Sequence, residues 1–156
     1  MGVKPKPDGY HSITPYLVVN GAVKAIDFYK EVLGAKEVMR LTQPDGRIGH
    51  AELKIGDSTI MLADEFPEMD IRGPKSYGGT AVNLLVYVDD VDAVYDKAVE
   101  AGAEPHRPVH DQFYGDRSGV VIDPFGHSWS IATHIEDVSP EEIAKRAKDC
   151  TDQPGS

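Results

Sequence analysis

A chain of 156 residues, 40% hydrophobic and 27% charged, is sized for one globular domain with its own core. Its formal net charge is −10 and it has no basic cluster, which excludes the positive footprint that nucleic acid and anionic membranes require. The single cysteine, Cys150, rules out an internal disulfide framework, and no run approaches the roughly 20 apolar residues of a membrane span, so a cytoplasmic protein is expected.

Residues 1–10 are rich in Lys and Pro, lack the apolar run of a signal peptide, and read as a flexible N-terminus. A β-rich run covers 13–19. Residues 22–33 carry Ala22, Ala25, Ile26, Tyr29 and Leu33 at helical spacing, and Gly34 suits the C-cap. Strands are expected at 36–41, 47–55 and 58–63, the last two joined by the two-residue turn Gly56-Asp57. The segment 65–79 has no period and reads as a linker. After the linker the order starts again: a strand over 81–88 leads to a helix over 91–101, opened by Asp89-Asp90 and closed by Gly102. Strands are expected at 104–109, 113–122 and 128–133, with Asp123-Pro124-Phe125-Gly126 joining the last pair. Ser139-Pro140-Glu141-Glu142 is a capping box for a terminal helix over 138–148, and 149–156 reads as a disordered tail.

The two halves repeat at a period of about 69 residues, with Leu17 matching Val86, Val19 matching Val88, Ile60 matching Trp129 and Leu62 matching Ile131. The fold class is therefore α+β, with two tandem βαβββ modules (11–64 and 80–137) around a concave pocket, plus the terminal helix. Period-2 alternation turns Leu17, Val19, Ile60, Leu62, Leu84, Val86, Trp129 and Ile131 toward the helices. The other face carries Thr14, Tyr16, Met61, Asn83, Tyr87 and Ser130, a mixture that suits a ligand pocket.

The segments Ala25-Ile26-Asp27-Phe28-Tyr29-Lys30-Glu31-Val32-Leu33-Gly34-Ala35 and Asp123-Pro124-Phe125-Gly126-His127 resemble the vicinal oxygen chelate superfamily of glyoxalases, bleomycin-resistance proteins and dioxygenases. Gln112-Phe113-Tyr114-Gly115-Asp116-Arg117 resembles its PhnB-like, glyoxalase-like branch. The resemblance implies a pocket-forming pair of modules and a homodimer. It also implies divalent-metal ligands at four places, which fall on Thr14, Met61, Asn83 and Ser130. None is a His or a carboxylate, so no metal ligand and no cofactor are expected, with a relocated divalent metal as the alternative.

Other histidines fit poorly. His11 and His127 have the wrong strand parity, and His134 lies four residues beyond Ser130, roughly 13 Å along a strand. If Gly56-Asp57 is a two-residue turn, Glu52 pairs with Met61 and His50 with Ala63, so both look into the cavity as a candidate acid–base pair. A four-residue loop over 123–126 would pair Gly119 with Ser130 and Arg117 with Ala132, placing Arg117 at the repeat-equivalent of His50. Tyr16, Met61, Asn83, Tyr87, Gln112, Tyr114, Arg117 and Ser130 are the expected ligand contacts. The reading that follows is a metal-free binding protein for a small aromatic or amphipathic molecule, of resistance or sequestration type. The alternative is a lyase, isomerase or dioxygenase using Glu52 and His50 or a relocated metal.

Overall fold

The computed structural model describes residues 2–150. They form two compact units: one holds the chain as far as Ala81 together with Pro124–His127, the other Val82–Asp123 and the chain from Ser128. Each contains one four-stranded mixed sheet and a packed helix, so the α+β class and the two βαβββ modules hold.

In the first unit the strands are β1 (Tyr16–Val19), β2 (Lys36–Thr42), β3 (Ile48–Ile55) and β4 (Ser58–Asp64), ordered β1-β4-β3-β2, with helix α1 (Ala22–Leu33) between β1 and β2. Only β1 and β4 run parallel, because α1 separates β1 from the antiparallel run that follows it. The helix buries Ala22, Ala25, Ile26, Phe28, Tyr29 and Val32. Leu17, Val19, Ala51, Leu53, Ile60 and Leu62 are buried, as alternation requires. Gly34, at φ 65°, ends α1 in the left-handed conformation that a side chain would oppose. Residues 65–79, expected as a linker without structure, contain a 3₁₀ turn (Pro67–Met69) and the short helix α2 (Pro74–Tyr77). Each begins on a proline, whose fixed φ suits a first helical turn.

α1 starts without a side-chain cap of its own, since Gly21 stands at that place. The buried Asp64 serves instead. Its Oδ1 accepts from the backbone N–H groups of Gly21 (2.9 Å) and Ala22 (2.8 Å), and its Oδ2 from that of Ile48 (2.7 Å). One carboxylate thus meets the positive end of the helix and pins β3 beside it.

In the second unit β5 (Asn83–Tyr87), α3 (Val91–Glu100), β6 (Glu104–Asp111), β7 (Asp116–Ile122) and β8 (Ser128–His134) give the sheet order β5-β8-β7-β6. Here Asp90 caps α3 through Ala93 N–H, and Thr133 Oγ1 accepts from Val91 N–H at 3.0 Å. The helix buries Val91, Tyr95 and Ala98. Trp129 and Ile131 are buried as expected, and the indole N–H of Trp129 donates to the buried Asp123 at 2.9 Å. β6 carries Pro105 and Pro108, which is tolerated because β6 is an edge strand. The terminal helix α4 runs Pro140–Cys150, two residues beyond its expected end, and Ser139 Oγ accepts from Glu142 N–H at 3.2 Å, as the capping box predicts. The rest of the expected disordered tail, 151–156, lies outside the described residues. Among the described residues no helix is long and apolar enough to cross a membrane.

One register differs from expectation. Ile122 pairs with Ser128, so the β7–β8 connection holds five residues, not four. Gly119 therefore pairs with Ile131 and Arg117 with Thr133, and Val120 is the partner of Ser130. A one-residue slip exchanges the faces of a whole strand. Gly119 turns to the helix, where a Cβ would stand 2.8 Å from the Tyr95 ring. Arg117 turns with it.

Candidate functional site

The first-unit hairpin has the predicted register: Ile55 pairs with Ser58, and Glu52 with Met61, which in turn pairs with Tyr16. Alternation from the buried Ala51 and Leu53 puts His50 and Glu52 on the face away from α1. There a continuous chain of hydrogen bonds forms. The Tyr16 hydroxyl meets His50 Nδ1 at 2.8 Å, His50 Nε2 meets Glu52 Oε2 at 2.9 Å, and the Tyr10 hydroxyl donates to Glu52 Oε1. The Tyr16 and His50 rings lie tilted, with centroids 5.5 Å apart. Because an ionised Glu52 Oε2 can only accept, Nε2 of His50 carries the proton that points toward it.

These contacts set the electrostatics. The hydrogen bonds from Tyr10 and His50 hold the Glu52 carboxyl below its ordinary range against its own desolvation. The Tyr10 hydroxyl is pushed up by its bond to Glu52, and that of Tyr16 by burial and by the Glu52 charge. The site is therefore an anion held in place by hydrogen bonds from Tyr10 and His50.

Beside it opens a cavity of about 600 Å³, bounded by Glu52, Met61 and Thr14 and on its outer side by Pro5, Lys6, Pro7, Tyr10, His11 and Ser12. Residues 5–7 and 10–12, the first ten residues of the chain having been read from sequence as a flexible N-terminus, thus form one wall, and Tyr10 reaches the carboxylate. His11, expected on a strand, lies in this arm because β1 begins only at Tyr16, and its Nε2 meets the Asp57 carbonyl at 3.1 Å.

The second unit has a different polar cluster. The buried Asp116 accepts from the Tyr87 hydroxyl through Oδ2 (2.9 Å) and meets His134 Nδ1 through Oδ1 (2.8 Å), while His134 Nε2 meets Asp137 at 2.7 Å. The bonds to Asp116 and Asp137 raise the pKa of His134, and the bond to Asp116 raises that of Tyr87. Asp116 and His134 face each other across β7 and β8, a juxtaposition that follows once the connection has five residues. Tyr87 was an expected contact, but its link to Asp116 and His134 was not.

The remaining expected residues are dispersed. Asn83 Nδ2 donates to Ser130 Oγ at 2.6 Å, and Asn83 Oδ1 accepts from Ser128 at 2.8 Å. Gln112 donates to Ser118 at 3.1 Å. Tyr114 packs edge-on against Phe113, with ring centroids 5.2 Å apart. Arg117, expected on the pocket face as the counterpart of His50, instead makes a two-pronged ion pair with Asp92 of α3 (2.8 and 2.9 Å) and a third contact with Asp111. The register slip is the cause, and Ser118 takes the counterpart position.

The four implied metal places fit a divalent ion poorly. In the first unit they offer a threonine hydroxyl and a thioether; in the second, an amide and a hydroxyl already bonded to each other. Among the described residues no group of three or more His, Cys, Asp or Glu side chains is arranged to hold a metal.

Two open mixed sheets, each with its helix on one face and polar side chains on the other, define a protein of paired βαβββ modules. The chain belongs to the Glyoxalase/Bleomycin resistance protein/Dioxygenase superfamily, whose family model matches residues 9–131. It is 44% identical over 135 residues to an uncharacterized protein of Mycobacterium bovis, covering 85% of this chain and 89% of that protein. Among solved structures, TioX from Micromonospora sp. ML1 is similar at 26% identity and a TM-score of 0.61, covering 83% of this chain and 100% of that one. A PhnB protein from Bacillus cereus shares the fold at 19% identity and a TM-score of 0.64, covering 79% of this chain and 99% of that one.

Proposed function

We propose that this chain is a metal-free binding protein for a small aromatic or amphipathic molecule, held in the cavity between Glu52, Met61 and the N-terminal arm. The observation that carries this reading is the cavity itself: about 600 Å³, within the size range of small-molecule sites, with one fixed carboxylate in its wall. Sequestration or resistance needs only such a site. The low pKa of Glu52 also favours binding over proton abstraction, because a carboxylate stabilised as the anion is a weak base at neutral pH. The second reading is an isomerase or lyase in which Glu52 and His50 exchange a proton, and the Glu52–His50–Tyr16 relay is what favours it. We further propose that the protein is a cytoplasmic homodimer, as the family resemblance and the lone cysteine suggest.

Elemental mass spectrometry of protein purified without chelator, paired with melting curves in EDTA and in added Ni²⁺, Zn²⁺ or Mn²⁺, tests the metal-free site. Less than a tenth of an equivalent of metal and no thermal response are expected. A near-stoichiometric ion with a large stabilisation would overturn the reading. A screen of aromatic fragments monitored at the Met61 methyl signal then tests the cavity, and the absence of any saturable shift would remove it.

A further inference from the structure

On the footing of that cavity reading, we infer that its ligand presents an uncharged aryl hydroxyl to Glu52 Oε1, the place held by the phenol of Tyr10 in the resting chain.

The two oxygens of Glu52 are not equivalent. Oε2 is committed to His50, which Tyr16 holds in place from its other nitrogen, all within the folded sheet. Oε1 is served from outside the sheet, by the arm. Among the described residues, two hydrogen bonds tie residues 2–12 to the rest of the unit: Tyr10 to Glu52, and His11 to the Asp57 carbonyl. The arm's other bonds are local, from Lys4 to Asp8, Lys6 to the Tyr10 carbonyl, and Tyr10 N–H to the Pro7 carbonyl. Residues 2–9 are exposed, so little buried surface holds the arm down. Tyr10 is thus a tethered, replaceable donor on an otherwise rigid acceptor.

The neighbours select the class of the replacement. A buried carboxylate that loses a donor pays the desolvation cost, so an apolar ligand alone cannot displace Tyr10 without penalty. An ammonium would satisfy Oε1, but Lys6 lines the same cavity and repels a second cation. A neutral hydroxyl meets neither objection. Pro5, Pro7 and Met61 supply apolar surface beside the carboxylate, which suits a ring bearing that hydroxyl better than a small polar alcohol.

The test is chemical complementation with para-cresol, the free equivalent of the tyrosine side chain. Binding of para-cresol, toluene and benzylamine is followed at the Met61 methyl signal in the wild type, in Tyr10→Ala and in the Tyr10→Ala/Glu52→Gln pair. Tyr10→Ala alters only an arm residue, and circular dichroism checks that both variants stay folded. We expect Tyr10→Ala to bind para-cresol at least about tenfold more tightly than wild type, because the tethered competitor is gone. It should prefer para-cresol to toluene and to benzylamine by about tenfold, and Glu52→Gln should cut that preference by about fivefold, as expected when a charged acceptor becomes neutral. Equal binding of para-cresol and toluene, or tighter binding of benzylamine, overturns the hydroxyl class and leaves the cavity reading standing. If none of the three probes moves Met61 in Tyr10→Ala, both fall.

Discussion

The first module opens its helix on a glycine and takes the cap from a distant strand through Asp64, whereas the second brings its own cap, Asp90, and has Thr133 at the position 69 residues after Asp64. The hairpins differ as well. Gly56-Asp57 closes the first in two residues, while five residues separate the paired Ile122 and Ser128 in the second. The polar clusters move accordingly. In the first module Glu52 sits mid-sheet beside Met61, but in the second Asp116 and His134 sit at the strand ends, and Val120 stands where Glu52 would be. The repeated topology has kept its apolar face and reassigned its polar one. Core parity is constrained at every strand by burial, whereas the opposite face is free to change wherever a new donor and acceptor can meet.

Removing the helix anchors breaks this comparison most forcefully. Asp64→Ala strands three backbone donors and should cost about 3 kcal/mol, whereas Thr133→Val should cost about 1 kcal/mol because Asp90 still caps α3. Urea unfolding of the two variants measures this, and equal losses would mean that the modules are anchored alike. Trp129→Phe comes next, at about 2 kcal/mol, because Asp123 loses a buried donor. At the repeat-equivalent site, which has no polar atom to satisfy, Ile60→Val should cost about 1 kcal/mol.

The smallest effects sharpen the comparison by their opposite signs with pH. The folded-state pKa of Glu52 is lowered from 4.5, so its contribution is present above pH 4.5 and is lost as pH falls through the folded value. That of His134 is raised from 6.5, so its contribution is full below pH 6.5 and is lost as pH rises through the folded value. Melting-temperature differences between wild type and Glu52→Gln should therefore shrink in acid, and those between wild type and His134→Gln should shrink toward alkaline pH. Parallel profiles would show that the two clusters do not act through these protonations.

Local pattern carried much of the architecture. The spacing of Ala22, Ala25, Ile26 and Tyr29 located α1, and Gly56-Asp57 was short enough to set the pairing of Glu52 with Met61 without ambiguity. The same logic failed at 123–127, where His127 belongs to the connection and its Nε2 meets the Val18 carbonyl. Taking the connection as four residues slipped β7 by one residue and carried Arg117 to the wrong face. Asp92, the second residue of α3, gave no local sign that it would receive that guanidinium. Tyr10 was harder still. A single aromatic between Gly9 and His11 in a Lys- and Pro-rich stretch was the only hint that the arm had something to bury.

The sequence by itself determined which residues of β1, β3, β4 and β8 face the helices, where α1 lies, and that Thr14, Met61, Asn83 and Ser130, the metal places the family resemblance implies, are not His or carboxylate side chains. Those properties follow from period-2 and period-3.6 alternation and from side-chain chemistry, which are local. Tertiary structure decided that Arg117 pairs with α3, that Asp116 meets Tyr87 and His134, and that Tyr10 folds back on Glu52. Each of these depends on the length of a connection or the path of an arm. Such choices are made by the satisfaction of buried polar groups between segments far apart in the chain, and no periodicity records them.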